Sequence, residues 1–272
     1  MKKRGQAALE YLYLLGLVLF VSLFVILVVR YFGVQIYLGS SSSARNAISC
    51  IPTDIGPGTS GLAASWHFEE GAGSSALDSS GNNNNADTYG PTWVEGVRGK
   101  GMLFNRETED YLKVSSSPSL DSSDSKSLSV LFWIKTYDHS VETGLFEKDG
   151  QSDGGFLIRQ FTDGRLRVRM KGGTGVFPND FFSDAELQDN QWYHVAMVYD
   201  YAAQKRRWYI NGVLDLEEDT SGELSPSPGE DLLIGKRQNQ FFNGVLDEVK
   251  IYSRSLSKDE IAADIECAPW RM

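Results

Sequence analysis

Two kinds of hydrophobic pattern divide the chain. Between Tyr11 and Val29 no side chain is charged, apolar residues fall on every face, and Glu10 stands alone at the near edge of the run. At ~1.5 Å per residue this run is long enough as a helix to cross a hydrocarbon core of ~30 Å. Apart from Arg30 the apolar pattern continues to Leu38, which predicts one extended helix over 6–38. From Leu62 onward the pattern becomes short alternating or apolar runs split by Gly, Asn, Asp and Ser. Strands are predicted at Leu62–Phe68, Gly101–Asn105, Tyr111–Val114, Leu128–Tyr137, Phe156–Phe161, Leu166–Lys171, Trp192–Tyr199, Trp208–Ile210, Val213–Leu216, Leu232–Gly235 and Val245–Tyr252. So many strands imply an all-β, two-sheet sandwich. Asn211-Gly212 between two of them predicts a tight hairpin, since both residues tolerate positive φ. Ser257-Lys258-Asp259-Glu260 predicts the start of a short helix, with Ser257 capping and Glu260 reaching back.

The boundaries follow from composition. Gly39-Ser40-Ser41-Ser42-Ser43 and Gly56-Pro57-Gly58-Thr59-Ser60-Gly61 make 39–61 a flexible linker, leaving 62–266 as the domain and 267–272 as a tail. Lys2, Lys3 and Arg4 stay inside under the positive-inside rule, which places everything after Leu38 outside the cell. The apolar run is longer than the ~7–15 residues of a secretory signal, and no small-residue cleavage site precedes Tyr31. A plain anchor has no use for Glu10, because a charge in lipid costs ~2.5–3.5 kcal/mol on insertion scales. The carboxylate asks for a partner.

The 272 residues carry a formal charge of −10, and four of the cations, Lys2, Lys3, Arg4 and Arg30, sit in the helical segment. The exterior is therefore more acidic than the total suggests. No basic face offers itself to phosphates, which excludes nucleic acid as a partner, while an acidic exterior favours solubility and cations. Cys50 and Cys267 flank the domain; outside the cell they read as one disulfide, worth roughly 5 kcal/mol in the chain-entropy model, with two unpaired thiols as the alternative. Neither has a Cys or His neighbour at zinc spacing.

The stretch Lys2-Lys3-Arg4-Gly5-Gln6-Ala7-Ala8-Leu9-Glu10-Tyr11-Leu12-Tyr13-Leu14 resembles the type IV pilin-like class III signal sequence of archaea. The resemblance implies a 1–5 leader cut by a prepilin peptidase between Gly5 and Gln6. Gln6, Ala8, Glu10 and Leu14 fit the family pattern, with Ala8 where serine is common. It further implies that Glu10 meets the new ammonium on Gln6 of a neighbouring subunit, setting the register of assembly. Such a pair attracts strongly where the dielectric is low, and leaving either charge alone is costly.

Six later stretches, in order, resemble the laminin G-like members of the concanavalin A-like jelly-roll family: Trp66-His67-Phe68-Glu69-Glu70-Gly71, Leu77-Asp78-Ser79-Ser80-Gly81-Asn82, Gly99-Lys100-Gly101-Met102-Leu103-Phe104, Gln191-Trp192-Tyr193-His194-Val195-Ala196, Trp208-Tyr209-Ile210-Asn211-Gly212 and Phe242-Asn243-Gly244-Val245-Leu246-Asp247-Glu248-Val249-Lys250-Ile251-Tyr252. The fold implied is a two-sheet jelly roll. The resemblance also implies a calcium ion held by Glu70, Asp78 and Asp247, with carbonyls from Asn82-Asn83-Asn84-Asn85. The alternative is that Asp78 caps its own turn and Asp247 pairs with a base. His194 within its strand reads as structural.

Some members of the wider family are glycoside hydrolases, whose retaining mechanism needs two carboxylates about 5 Å apart. Asp215, Glu217 and Asp219 alternate but run into Thr220-Ser221-Gly222, as a solvated edge does, and no convincing pair emerges. A non-enzymatic role is expected. Phe177, Phe181 and Phe182, in Gly175-Val176-Phe177-Pro178-Asn179-Asp180-Phe181-Phe182, are candidate ligand-stacking residues, with Phe177 and Phe182 alternatively part of the core. The chain is expected to be a cell-surface, pilin-like subunit displaying an adhesive domain toward a glycan or surface protein, in the membrane or in an extracellular filament with other pilin-like subunits. The alternative is a membrane-anchored lectin or receptor that never polymerises.

Overall fold

The computed structural model describes residues 60–121, 126–149, 154–172 and 180–266. The leader with Gly5 and Gln6, the 6–38 helix with Glu10, most of the linker, Cys50, Cys267 and Phe177 lie outside the described residues. Among the described residues no helix is long and apolar enough to cross a membrane.

Among the described residues eighteen strands follow one another: β1 Leu62–Trp66, β2 Ser75–Ala76, β3 Ala86–Tyr89, β4 Thr92–Glu95, β5 Lys100–Phe104, β6 Tyr111–Val114, β7 Leu128–Thr136, β8 Thr143–Lys148, β9 Gly155–Gln160, β10 Arg165–Lys171, β11 Phe181–Glu186, β12 Tyr193–Asp200, β13 Lys205–Ile210, β14 Val213–Asp219, β15 Leu232–Ile234, β16 Lys236–Arg237, β17 Gln240–Phe241 and β18 Gly244–Tyr252. They form two eight-stranded sheets. The first runs β14-β13-β12-β7-β18-β5-β4 with β1 paired to β18, and the second runs β11-β10-β9-β8-β15-β6-β3-β2. β16 and β17 make a separate two-stranded ribbon. All pairings are antiparallel.

The core lies between the sheets. Phe132 of the first meets Phe146 of the second with ring centroids 4.9 Å apart, and Trp208 of the first stacks on Phe181 of the second at 6.1 Å. β10 shows why a strand with one covered face alternates: Leu166, Val168 and Met170 join the core while Arg165, Arg167, Arg169 and Lys171 point away. β7 and β18 are buried at nearly every position because they are covered on both faces. Their second cover is helix α1, Lys258–Glu266, whose Ile261 packs among Leu131, Ala196, Val198, Tyr209 and Tyr252 on the outer face of the first sheet.

The predicted cap opens α1. Ser257 Oγ accepts the Glu260 N–H at 3.3 Å, and Glu260 accepts the Ser257 N–H at 2.8 Å. The hairpin between β13 and β14 turns at Asn211 and Gly212 with φ of 51° and 75°. Beneath α1 lies a buried ionic chain: Lys250 Nζ donates to Asp264 at 2.7 Å, His194 Nε2 sits 3.2 Å from the same carboxylate, and Lys250 lies 3.4 Å from Glu248. His194 is fully buried there, with its backbone N–H bonded to Asn211, so it takes a structural place.

All eleven predicted strands are present, with ends shifted by a few residues. Seven strands, β2, β3, β4, β8, β11, β16 and β17, were not predicted. β8 carries Gly144 in its interior, where the missing Cβ admits the backbone of Lys236 and Arg237. β11 follows Pro178-Asn179 and reads locally as a loop, yet it pairs with β10 through Phe181 and Phe182.

Candidate functional site

The two outer faces of the sandwich differ. α1 packs on part of the outer face of the first sheet, whereas the second presents polar and aromatic side chains outward from β3, β6 and β10. At one end Tyr89 and Tyr111 stand directly opposite each other on β3 and β6, and their rings stack at 4.7 Å with 3° between planes. Lys236 lies over the Tyr111 ring at 4.2 Å and the Phe241 ring at 5.0 Å. Gly144 allows this, because it lets the β16–β17 ribbon sit close on the sheet. Tyr89 is 44% exposed, which for a large aromatic leaves a ring face free for a ligand.

Four strand steps away, roughly 19 Å at ~4.8 Å per step, lies a cluster of arginines around two rings. Phe161 and Phe182 meet edge to face at 5.1 Å. Arg159 and Arg167 lie over Phe161 at 5.1 and 5.4 Å, and Arg165 lies over Phe182 at 4.9 Å. Carboxylates partner these cations: Glu142 with Arg159, Asp180 with Arg167, Asp163 with Arg165, and Asp149 with both Arg169 and Lys171. Burial, followed by the repulsion of Arg167, Arg237 and Arg169, pushes the Arg159 guanidinium down to about 10.

The structure does not bring the expected calcium ligands together. Asp78 turns into its own loop, where it accepts N–H bonds from Ser65, Ser80 and Asn84, each at 2.9 Å, and the Ser80 hydroxyl at 2.7 Å. This is the turn-capping alternative. Glu70 accepts the Leu77 N–H at 2.8 Å. Asp247 is fully buried and accepts N–H bonds from Arg98 at 3.0 Å and Glu248 at 2.7 Å. Among the described residues no group of three or more His, Cys, Asp or Glu could hold a metal ion. A hard cation needs several oxygens converging within 2.3–2.6 Å, whereas each of these carboxylates takes backbone N–H donors of its own and the three form no common group among the described residues, so together they do not fit calcium.

The aromatic candidates divide. Phe181 is core, 2% exposed and stacked on Trp208, because strand alternation turns it inward. Phe182, its neighbour, faces out among the arginines. Tyr89, Tyr111, Lys236, Phe161 and the β10 cations were not read as a site from the sequence. The only local signal was a cation at every second position of Arg165-Leu166-Arg167-Val168-Arg169-Met170-Lys171.

Comparison with known proteins fits this architecture. Residues 106–262, more than half of the chain, match the family described as the concanavalin A-like lectin/glucanases superfamily. The chain belongs to that superfamily. Among solved structures, the binding domain of Paraclostridial Mosquitocidal Protein 1 is similar with a TM-score of 0.59 and 22% identity, over 74% of this chain and 51% of that one. Domain 4 of AbnA, a GH43 extracellular arabinanase from Geobacillus stearothermophilus solved with arabinotriose, gives 0.58 and 19% over 76% and 98%. The binding domain of Botulinum Neurotoxin DC, solved with SialylT, gives 0.61 and 12% over 78% and 52%. At these identities the likeness shows the fold. The chain spans about half the length of the first and third of these structures. No curated protein matches the chain.

Asp215 accepts N–H bonds from Asp184 at 2.8 Å and Ala185 at 3.0 Å, tying β14 to β11. Glu217 pairs with Lys205 at 2.5 Å and Arg207 at 2.6 Å, and Asp219 pairs with Lys205 at 3.1 Å. The three acids thus take part in bonds between strands, Glu217 and Asp219 sharing the Lys205 ammonium.

Proposed function

We propose that the chain is a cell-surface subunit that displays a non-enzymatic glycan-binding module, carried outward by a pilin-type helix over 6–38. The open outer face of the second sheet carries the reading. Its stacked Tyr89–Tyr111 pair, with Lys236 over the Tyr111 ring, holds the exposed Tyr89 ring in a fixed orientation, an aromatic surface of the kind that sugar rings stack on. Two structural neighbours support it, one solved with arabinotriose and one with SialylT. The span between the tyrosines and the arginine cluster suits an oligosaccharide better than a single ring.

The full chain in detergent, assayed on an array of neutral and charged oligosaccharides, is expected to bind, and Tyr111→Ala to weaken that binding about tenfold. Binding that survives Tyr111→Ala unchanged would remove the face from consideration. For the helix, Gln6 and Glu10 support pilin-type processing with a prepilin peptidase and other pilin-like subunits as partners. Mass spectrometry of the mature protein is expected to find Gln6 as its first residue; a chain still beginning at Met1 would favour the plain surface lectin that never polymerises.

A further inference from the structure

Resting on that reading of the second sheet's outer face, we infer that the ligand is a neutral glycan, one sugar of which lays its C–H face on the Tyr89 ring while two neighbouring hydroxyls donate to the Asp87 carboxylate. Three observations carry this. The first is which side of the aromatic pair is open. Tyr111 is stacked by Tyr89 at 4.7 Å and lies under the Lys236 ammonium at 4.2 Å, and two groups so close cannot share one face of a ring. The ribbon side of the pair is therefore closed. The exposed ring of Tyr89 looks the other way, toward the β2 edge of the sheet. The second observation is that little fills that side. β2 pairs with β3 at Ser75–Asp87 and Ala76–Ala86, and the Thr88 N–H donates to the Ser74 carbonyl at 3.0 Å. Continued one residue further, this register sets Gly73 opposite Tyr89. Gly73 brings no side chain to the ring, and among the described residues no other part of the fold comes within 4 Å of where its Cβ would stand. A φ of 111° keeps the position for glycine, so the aromatic face stays open at the sheet edge, where a sugar ring has room to stack.

The third observation is a waiting acceptor. Strand alternation puts Asp87 on the same outer face as Tyr89, two residues and about 7 Å along β3. Asp87 is exposed, and among the described residues its carboxylate takes no hydrogen bond and no ion pair. Lys113 stands directly opposite it on β6, but the Lys113 ammonium pairs with Asp231 at 3.1 Å. A carboxylate has two oxygens that only accept, so it takes two adjacent hydroxyls at once, each bond strengthened by the charge. The same charge repels a carboxylate or sulfate brought to the ring. Farther along the face Arg159, Arg165, Arg167 and Arg169 already have carboxylate partners, so these cations do not call for an acidic sugar. A neutral sugar, apolar on one face and edged with hydroxyls, meets both Tyr89 and Asp87.

The test uses the full chain in detergent with dextran, mannan and linear arabinan as neutral probes, each also in a fully O-methylated form, and with heparin and chitosan oligosaccharides as acidic and cationic probes. At least one neutral probe is expected to bind, with little dependence on salt, and its methylated form and heparin to bind far less. Asp87→Asn keeps the shape and loses the charge. It is expected to lower the affinity for that neutral probe about tenfold, the size of one charge-assisted hydrogen bond, and to leave the melting temperature unchanged, since the carboxylate holds no bond within the fold. Tyr89→Ala is expected to lower it by a similar factor. Heparin or chitosan bound as tightly as the best neutral probe, a methylated form bound as well as its parent, or neutral binding indifferent to Asp87→Asn would overturn the inference, while loss of binding in Tyr89→Ala would leave the glycan-binding face standing. No binding of any probe, or binding indifferent to Tyr89→Ala, would count against both.

Discussion

Asp264→Ala is expected to lower the stability of the domain by about 3–5 kcal/mol, the usual cost of removing one partner from a buried ion pair. For a domain of this size that is a fall of roughly 10 °C in melting temperature. The carboxylate is 3% exposed, accepts from Lys250 at 2.7 Å and lies 3.2 Å from His194. Lys250 and, to a smaller extent, the His194 bond hold its acid form far below the ordinary range against the opposing effect of burial, and the same carboxylate holds Lys250 above its own range. Without it Lys250 keeps, among the described residues, the Glu248 carboxylate at 3.4 Å, and His194, whose Nδ1 has no hydrogen-bond partner among the described residues, loses its Nε2 contact. Replacing both charges with apolar groups should behave differently, since a buried pair exchanged for hydrophobic residues is often neutral. Lys250→Met with Asp264→Leu is therefore expected to be more stable than Asp264→Ala alone. Urea unfolding of the three chains decides it: a double variant no better than the single one would mean that packing of α1, not charge, sets the loss.

The same network shows what a sequence can and cannot reveal. Strands with one covered face, such as β6 and β10, were legible because alternation is local. The Asn211-Gly212 hairpin and the Ser257–Glu260 cap were legible because their chemistry is complete within four residues. β8 was hidden because its interior Gly144 makes sense only once the β16–β17 ribbon lies on it. Asp78 and Asp247 were expected as ligands because the family resemblance implies a calcium ion at their motif positions; amide hydrogens that occupy them come from Ser65 and Arg98, distant in sequence. The Tyr89–Tyr111 platform joins two strands separated by β4 and β5, so no spacing rule could find it. Jelly-roll topology was carried by the order of several weak motifs, while the site depends on which face the fold leaves open.

Stability is also expected to fall as pH rises from about 5 to 8 and then level off, by a few kcal/mol in all or about 1 M in urea midpoint. Asp247 is the cause. A β-bulge between Asp247 and Lys250, with Glu248 at a φ of 48°, seats both acids on the outer side of β18. Burial, with the charge of Glu248 adding to it, pushes Asp247 up to about 8 against the pull of its backbone N–H donors. Its unfolded value is ~3.9. Between those two values the folded chain holds a proton that the unfolded chain has released, so each rise in pH favours unfolding; above the upper value both states have released it and the slope vanishes. Glu248 and Asp264 work in the opposite sense. In Glu248 the His67 bond and the charge of Lys250 outweigh burial, so that the folded values of both acids lie below the unfolded ones. Their contribution is present above the unfolded pKa of ~4 and is lost as pH falls through the folded values, which together with Asp247 places the stability maximum near pH ~5. Asp247→Asn keeps an acceptor for the Arg98 N–H and cannot titrate, so its profile should be flat from pH 5 to 8 whatever its absolute stability. A wild-type profile already flat over that window, or a slope that persists in Asp247→Asn, would assign the protonation to another group and leave Asp247 an ordinary ionised clamp on the Arg98 loop.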